Sequence, residues 1–391
     1  MTLGSSFGQT YFISIFAGEI RAEFSLSHGQ WGSYYAIGTT ASAALMMAIG
    51  GVADWIPARK LAVITLAVFS LFCLGMAFVP SAAMIPFVIF GLRFCGQGMM
   101  THIAMVSVGR WFAAARGRAV SVVAVGFSAG EALYPIIFVF IMAQVGWRVS
   151  WIVSACMILL FIPPMLILLG NNRIPQGEAE TVTGTGMYGR HWTRRQALTH
   201  WMFWLCIPNV LAQPIFGTAF FFQQVHLTEV KGWDLPAFVS LIPLYTATAV
   251  AMLFAGGWLV DRFGTARVMP FFLLPMALGF TVIAYGETLV SAAIGLMFLG
   301  SMHGIAVSVM SVFWPEFYGT RHLGAIRATA TAFMVFSTGL GPWGTGWLID
   351  HGIAYETQLL GMAAYAVLAS VVLFFLMMNT SRLFPASGEA T

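Results

Sequence analysis

The chain has 391 residues, of which 59% are hydrophobic and only 8% charged. A soluble domain carries about 25% charged residues, so a water-wetted globule is excluded and most of the surface must face lipid. The net charge of +4 is dispersed between apolar runs, which excludes a nucleic-acid-binding patch. The four cysteines, Cys73, Cys95, Cys156 and Cys206, lie inside those runs without CxxC spacing. They read as buried inert thiols rather than as a disulfide framework or metal site.

A helix needs roughly 20 apolar residues to cross the hydrocarbon core. In chain order, such runs fall at 3–20, 31–53, 61–79, 83–108, 119–143, 149–170, 200–224, 236–259, 267–286, 289–312, 326–348 and 358–378. The expected fold is therefore an all-α membrane protein of twelve transmembrane helices. The first run is barely long enough and lacks a basic flank. Either that helix is short or the true start lies upstream of Met1. No cleavable signal peptide is evident. With the N-terminus inside, 14 of the 18 basic residues fall in inner loops. Arg21, Arg148 and Lys231 fall outside, and Arg93 lies within a span. That asymmetry predicts a multi-pass protein of the inner membrane with both termini cytoplasmic.

The longest polar stretch separates six spans from six. It predicts an N-terminal bundle at 1–170, a cytoplasmic linker at 171–198 with a short helix before span 7, a C-terminal bundle at 199–380 and a tail at 381–391. The halves repeat: Asp54 and Asp261, and Pro135 and Pro342, each differ by 207 positions. Near-constant offsets in order argue for duplication.

Gly257, Asp261, Arg262, Gly264 and Arg267, between spans 8 and 9, follow the pattern G-x-x-x-D-R-x-G-R-K closely. Gly50, Asp54, Arg59 and Lys60, between spans 2 and 3, form a looser copy, with Trp55 and Pro57 replacing the usual Arg and Gly. With Arg93 and Gly96 in span 4, these residues resemble the major facilitator superfamily over the whole chain. The resemblance implies two six-helix pseudo-repeats around a central cavity, with alternating access. It also implies that the two loop motifs act in gating. Topology signalling alone is the plainer reading of Arg59 and Lys60.

Charges at mid-bilayer cost several kcal/mol, which singles out Arg93 and Glu131. In one reading Arg93 anchors an anionic substrate group and Glu131 holds or releases a proton. In the other they form a structural ion pair. Pro135 lacks the N–H that would bond the Glu131 carbonyl, so a bend is expected there. Gln97 shares a helical face with Arg93. In span 7, Asn209 and Gln213 lie four apart beside Pro208 and Pro214. Span 10 carries a lone histidine, His303. These residues are candidates to line the cavity, with Pro135, Pro214 and Pro342 as kink positions. His102 reads as a histidine bonded to a neighbouring helix. Gln223, Gln224 and His226 read as a rim near the outer surface, and Phe220, Phe221 and Phe222 as packing or lipid-facing.

No Walker loop or HExxH occurs, and Gly126, Ser128 and Gly130 form a GxSxG string inside a span, where no nucleophile elbow can form. No enzyme, metal or cofactor is expected. The expected function is secondary transport by a monomer of a small organic anion, such as a carboxylate, moved with protons in symport. Two alternatives remain. One is proton-driven efflux of lipophilic compounds, which sits poorly with Glu131 and Tyr134 at motif positions where such antiporters carry Pro and Gly. The other is a non-transporting membrane receptor.

Overall fold

The computed structural model describes residues 1–49, 52, 56–111, 116–168 and 186–378, with side chains omitted at 106, 108–111, 116–122, 324 and 328. Gly50 and Asp54 of the first loop motif, positions 171–185 of the expected linker and the tail at 381–391 lie outside the described residues. All regular secondary structure among the described residues is helical, with no strand among them. Closed helices satisfy every backbone group internally, which lipid demands.

Eight helices among the described residues are long and apolar enough to cross a membrane. Ala58–Ala77, Trp201–Phe222, Thr265–Tyr285 and Tyr355–Met377 have about the length of one span. Val123–Leu168 has 46 residues, about twice a span. It contains Gly146 at φ 78°, ψ 167°, a backbone state open to glycine and strained for other residues. The helix therefore breaks there, between the fifth and sixth apolar runs, and continues unbroken through Pro135. Two further long helices are His28–Ile49 and Leu323–Asp350. The first run is a succession of 3₁₀ and α turns over 4–24, and Phe7, Phe12, Ile13 and Phe16 on it are 0% exposed.

The helix expected before span 7 is Arg194–Thr199, opened by a capping box between Thr193 and Gln196. This arrangement satisfies two otherwise unpaired backbone donors. Cys73, Cys95 and Cys206 are buried as expected. Cys156 is exposed, a correction: it sits on the outward face of its helix, and an apolar run alone does not say which face is covered.

The chain forms two compact units. The first comprises Met1–Glu180, Thr218–Ser240 and Thr338–Gly352; the second comprises Thr181–Gly217, Leu241–Ser337 and Ile353–Thr391. In the first, Ser70 Oγ of Ala58–Ala77 donates to Ala155 O at 3.2 Å. In the second, Ser308 Oγ of Leu289–Tyr318 donates to Leu253 O at 2.6 Å. Small hydroxyl residues of this kind bond helix to helix where water is absent.

Candidate functional site

The first unit holds Arg93. It opens a π-helical stretch, Arg93–Met100, that interrupts the α-helix begun at Ile85–Leu92. Such bulges recur at functional sites because they re-aim side chains and loosen the backbone ladder. Here the widened turns meet the first segment at a close approach of two glycines. A Cβ on Gly96 would lie 2.7 Å from Gly8 Cα and 2.8 Å from Phe69 Cζ. That approach brings the Gly8 carbonyl within reach of the guanidinium.

Arg93 is 1% exposed. Its Nη1 donates to Gly8 O at 3.2 Å and to Thr10 Oγ1 at 3.3 Å. Tyr35 lies under the guanidinium at 5.3 Å from its ring centroid and hydrogen-bonds Thr10 at 2.5 Å. Nε and Nη2 have no hydrogen-bond partner. These are the two donors of one edge of the guanidinium plane, the edge that grips a carboxylate side-on. The ion pair with Glu131, one of the two sequence-based readings, is not formed. Only Nη1 is engaged, by Gly8 and Thr10 of the first segment, and Nε and Nη2 stay bare.

Glu131 is 9% exposed and lies within electrostatic reach of Tyr11. The Tyr11 hydroxyl donates to Ser6 Oγ at 2.9 Å. Gln97 is half-buried on the same π stretch as Arg93. Gly8, Thr10, Tyr35 and Tyr11 were missed from sequence, since a carbonyl and three hydroxyls in apolar runs carry no signal of their own.

The second unit holds the other candidates. Gln213 opens a second π stretch, Gln213–Gly217, which contains Pro214. A proline removes an α-helical hydrogen bond, and the ladder widens at that point. Gln213 Nε2 and His303 Nδ1 are 3.2 Å apart, and the Tyr245 ring lies 6.0 Å from that of His303. Asn209 is 1% exposed and donates from Nδ2 to Ala369 O at 3.3 Å. It ties its helix to Tyr355–Met377, while its Oδ1 has no hydrogen-bond partner. Pro342 lies inside an unbroken helix.

Of the loop motifs, Arg59 is exposed, as are Asp261, Arg262, Gly264 and Arg267, and Gly257 is half-buried. Gly264, at φ 80°, ends Ile242–Phe263 by donating its N–H to Val260 O at 2.8 Å.

The first unit also holds a polar cluster where His28–Ile49 begins and Leu323–Asp350 ends. Asp350 closes its own helix and caps His28–Ile49. It accepts from Ser27 Oγ at 2.6 Å, His28 N at 3.0 Å and Gly29 N at 2.8 Å. A carboxylate on these free amides also meets the positive end of the helix dipole. The glutamines read as a rim are buried instead. Gln224 Nε2 donates to Tyr11 O and Ser14 Oγ, and Gln223 Nε2 to Thr345 Oγ1. His28 stacks edge-on to His226 at 4.3 Å, and His226 approaches Glu229 at 3.8 Å.

Burial, then the nearby Arg21 and His226, bring the His28 imidazole down from 6.5 to about 4, against the opposing pull of Asp350 and Gln223. Burial alone would raise the Asp350 carboxyl, but the bonds from Ser27, Gly29 and His28 outweigh it and hold Asp350 below 3.8. Both groups are depressed when folded, so each contributes stability above its ordinary value and loses it on acidification. For His28 that loss falls between 6.5 and about 4; for Asp350 it falls below 3.8. Melting temperature is thus expected to fall with pH across the His28 window, and less steeply in His28→Gln. Superimposable curves would show that His28 is not the group responsible.

These features define a polytopic helical membrane protein with buried polar groups on locally widened helices. The model of the Major Facilitator Superfamily matches residues 1–256, and the chain belongs to that family. It is 32% identical over 149 residues to a cis,cis-muconate transport protein of Acinetobacter baylyi, a match covering 35% of this chain and 34% of that protein. It therefore spans about a third of that relative's length. It is 27% identical over 330 residues to an uncharacterized 38 kDa protein in the 23S RNA operon of Thermoproteus tenax, covering 83% and 79% of the two chains. Among solved structures it is similar to a bacterial homolog of the human lysosomal transporter Spinster, with TM-score 0.77, 15% identity and coverage of 99% and 97%. It is also similar to the nucleoside transporter NupG, with TM-score 0.71, 15% identity and 97% coverage of each chain.

Proposed function

We propose that this protein is a proton-coupled secondary transporter for a small organic anion with a carboxylate group. It would span the inner membrane twelve times in two six-helix halves, with both termini cytoplasmic. The observation that carries this reading is the bare Nε–Nη2 edge of Arg93 inside the protein. A buried cation with unmet donors is costly, and a carboxylate laid along that edge offsets the cost with two charge-assisted bonds. Muconate, in the name of the Acinetobacter relative, is a dicarboxylate, which favours the same class. In the second unit, Gln213 and His303 offer neutral donors and acceptors suited to uncharged polar groups of a substrate.

Ligand-induced thermal stabilisation tests the reading. Mono- and dicarboxylates are expected to raise the melting temperature of the purified protein by mass action, and lipophilic cations are not. Stabilisation by the cations alone would point instead to efflux of lipophilic compounds.

Glu131 is assigned the proton. Glu131→Gln is expected to keep carboxylate binding and carboxylate exchange in proteoliposomes. Uptake driven by a proton gradient is expected to fall about a hundredfold or more, the range of a lost proton-transfer group. Equal loss of exchange and driven uptake would remove Glu131 from the coupling step.

A further inference from the structure

A second, separate binding surface lies where the helix Ile242–Phe263 turns into Thr265–Tyr285. Leu259, Phe263, Arg267, Val268 and Phe271 line an open groove of about 290 Å³. Four walls are apolar, and Phe263 and Phe271 are 43% and 50% exposed. Both flanking helices are long and apolar enough to cross a membrane. Their junction therefore lies at the boundary between hydrocarbon and water, where headgroup phosphates sit.

The charges at this junction are arranged for an anion. Arg267 is exposed and forms no ion pair with a described residue. Arg262 stacks over the Trp258 ring at 5.4 Å and the Phe263 ring at 5.8 Å, and Trp258 is 56% exposed. Asp261 is the nearby acid. Leu259 and Phe263, four apart, share one helical face, and Asp261 midway between them projects from the opposite side. The groove thus presents apolar walls with a cation at the rim. Arginine with exposed aromatic rings at a membrane boundary suits an amphiphile held at headgroup depth.

We propose that this groove binds an anionic phospholipid of the surrounding bilayer. Arg267 takes the phosphate, and the first acyl methylenes lie along Leu259, Phe263 and Phe271. The assignment stands on this junction alone and is independent of the substrate carried at Arg93.

Native mass spectrometry of the full chain in neutral detergent tests it, with phosphatidylglycerol and phosphatidylcholine of identical acyl chains. Phosphatidylglycerol is expected to bind more tightly. Arg267→Gln is expected to weaken it about fivefold, the effect of one basic residue near an anionic lipid surface. Arg321→Gln, at another exposed arginine, is expected to leave it unchanged. Phosphatidylglycerol with a diazirine in the acyl chain is expected to label the peptide spanning 259–271. Equal affinity for the two lipids, an unaffected Arg267→Gln, or labelling confined to other peptides would overturn the proposal. So would glycerol 3-phosphate binding as tightly as the intact lipid, since the groove would then be a site for a free anion.

Discussion

Arg93→Ala is expected to abolish carboxylate-induced stabilisation, with affinity falling at least about a hundredfold. Each hydrogen bond to a charged group contributes about 1.5–3 kcal/mol, and two would be lost together, against about 1.4 kcal/mol per tenfold in affinity. The unliganded variant should melt close to the wild type. Truncation removes the cost of a buried cation while it removes the Nη1 bonds to Gly8 and Thr10. Arg93→Lys is expected to recover little. An ammonium is a point charge that cannot hold the Nη1 anchor and also present two parallel donors. Isothermal titration on the three proteins separates the outcomes. Unchanged carboxylate affinity in Arg93→Ala would sink the assignment and leave Arg93 as a brace between the first segment and its neighbour.

Gly96→Val is expected to destabilise the protein by about 3 kcal/mol, the upper end for overpacking, and to weaken carboxylate binding as well. Its Cβ would meet Gly8 Cα and N at 2.7 and 2.9 Å. Backbone cannot step aside as a flexible side chain can, so the first segment must shift and take the Gly8 carbonyl off Arg93. Gly75→Val is the matched control. There the nearest atom to a new Cβ is Val88 Cγ2 at 3.7 Å, an ordinary van der Waals contact, and little change is expected. Chemical denaturation followed by circular dichroism, with ligand binding on the same samples, reads both effects. If the two variants behaved alike, the Gly8–Gly96 approach would not be holding the site.

Much of the fold was legible because lipid imposes its length on the sequence. The runs expected at 61–79, 200–224 and 267–286 appear as Ala58–Ala77, Trp201–Phe222 and Thr265–Tyr285. Ala58–Ala77 and Thr265–Tyr285 begin a turn or less before their runs and end just short of them, and Trp201–Phe222 lies within its run. The break at Gly146 follows from a glycine between two runs. The triplet Phe220, Phe221 and Phe222, all at most 8% exposed, packs inside, one of the two roles open to it.

The site was legible in its charges and illegible in its partners. Arg93 and Glu131 stood out because ionisable groups in hydrocarbon are rare. Of the two readings open to them, the ion pair is not formed, because adjacency of two spans does not fix which faces oppose. The π stretches at Arg93 and Gln213 left no trace in hydropathy, since a shift of hydrogen-bond register changes no residue type. Gln223 and Gln224 read as rim residues from their place near a span end, yet both are buried, Gln223 on the Thr345 hydroxyl and Gln224 on the Tyr11 carbonyl and Ser14 hydroxyl.

The cap on His28–Ile49 comes from a residue 322 positions further along the chain. At the usual 5–20 residues per second of synthesis, Ser27 and the amides of His28 and Gly29 emerge roughly 15–60 s before Asp350 exists. Through that interval the start of this helix has no carboxylate to close it and must rely on water or headgroups. A chain interrupted anywhere before position 350 would carry the same open end, so this corner records whether synthesis has passed Asp350. A quality-control factor that recognises exposed helix amides at the membrane surface would find them on chains stopped short of Asp350 and covered on chains that contain it.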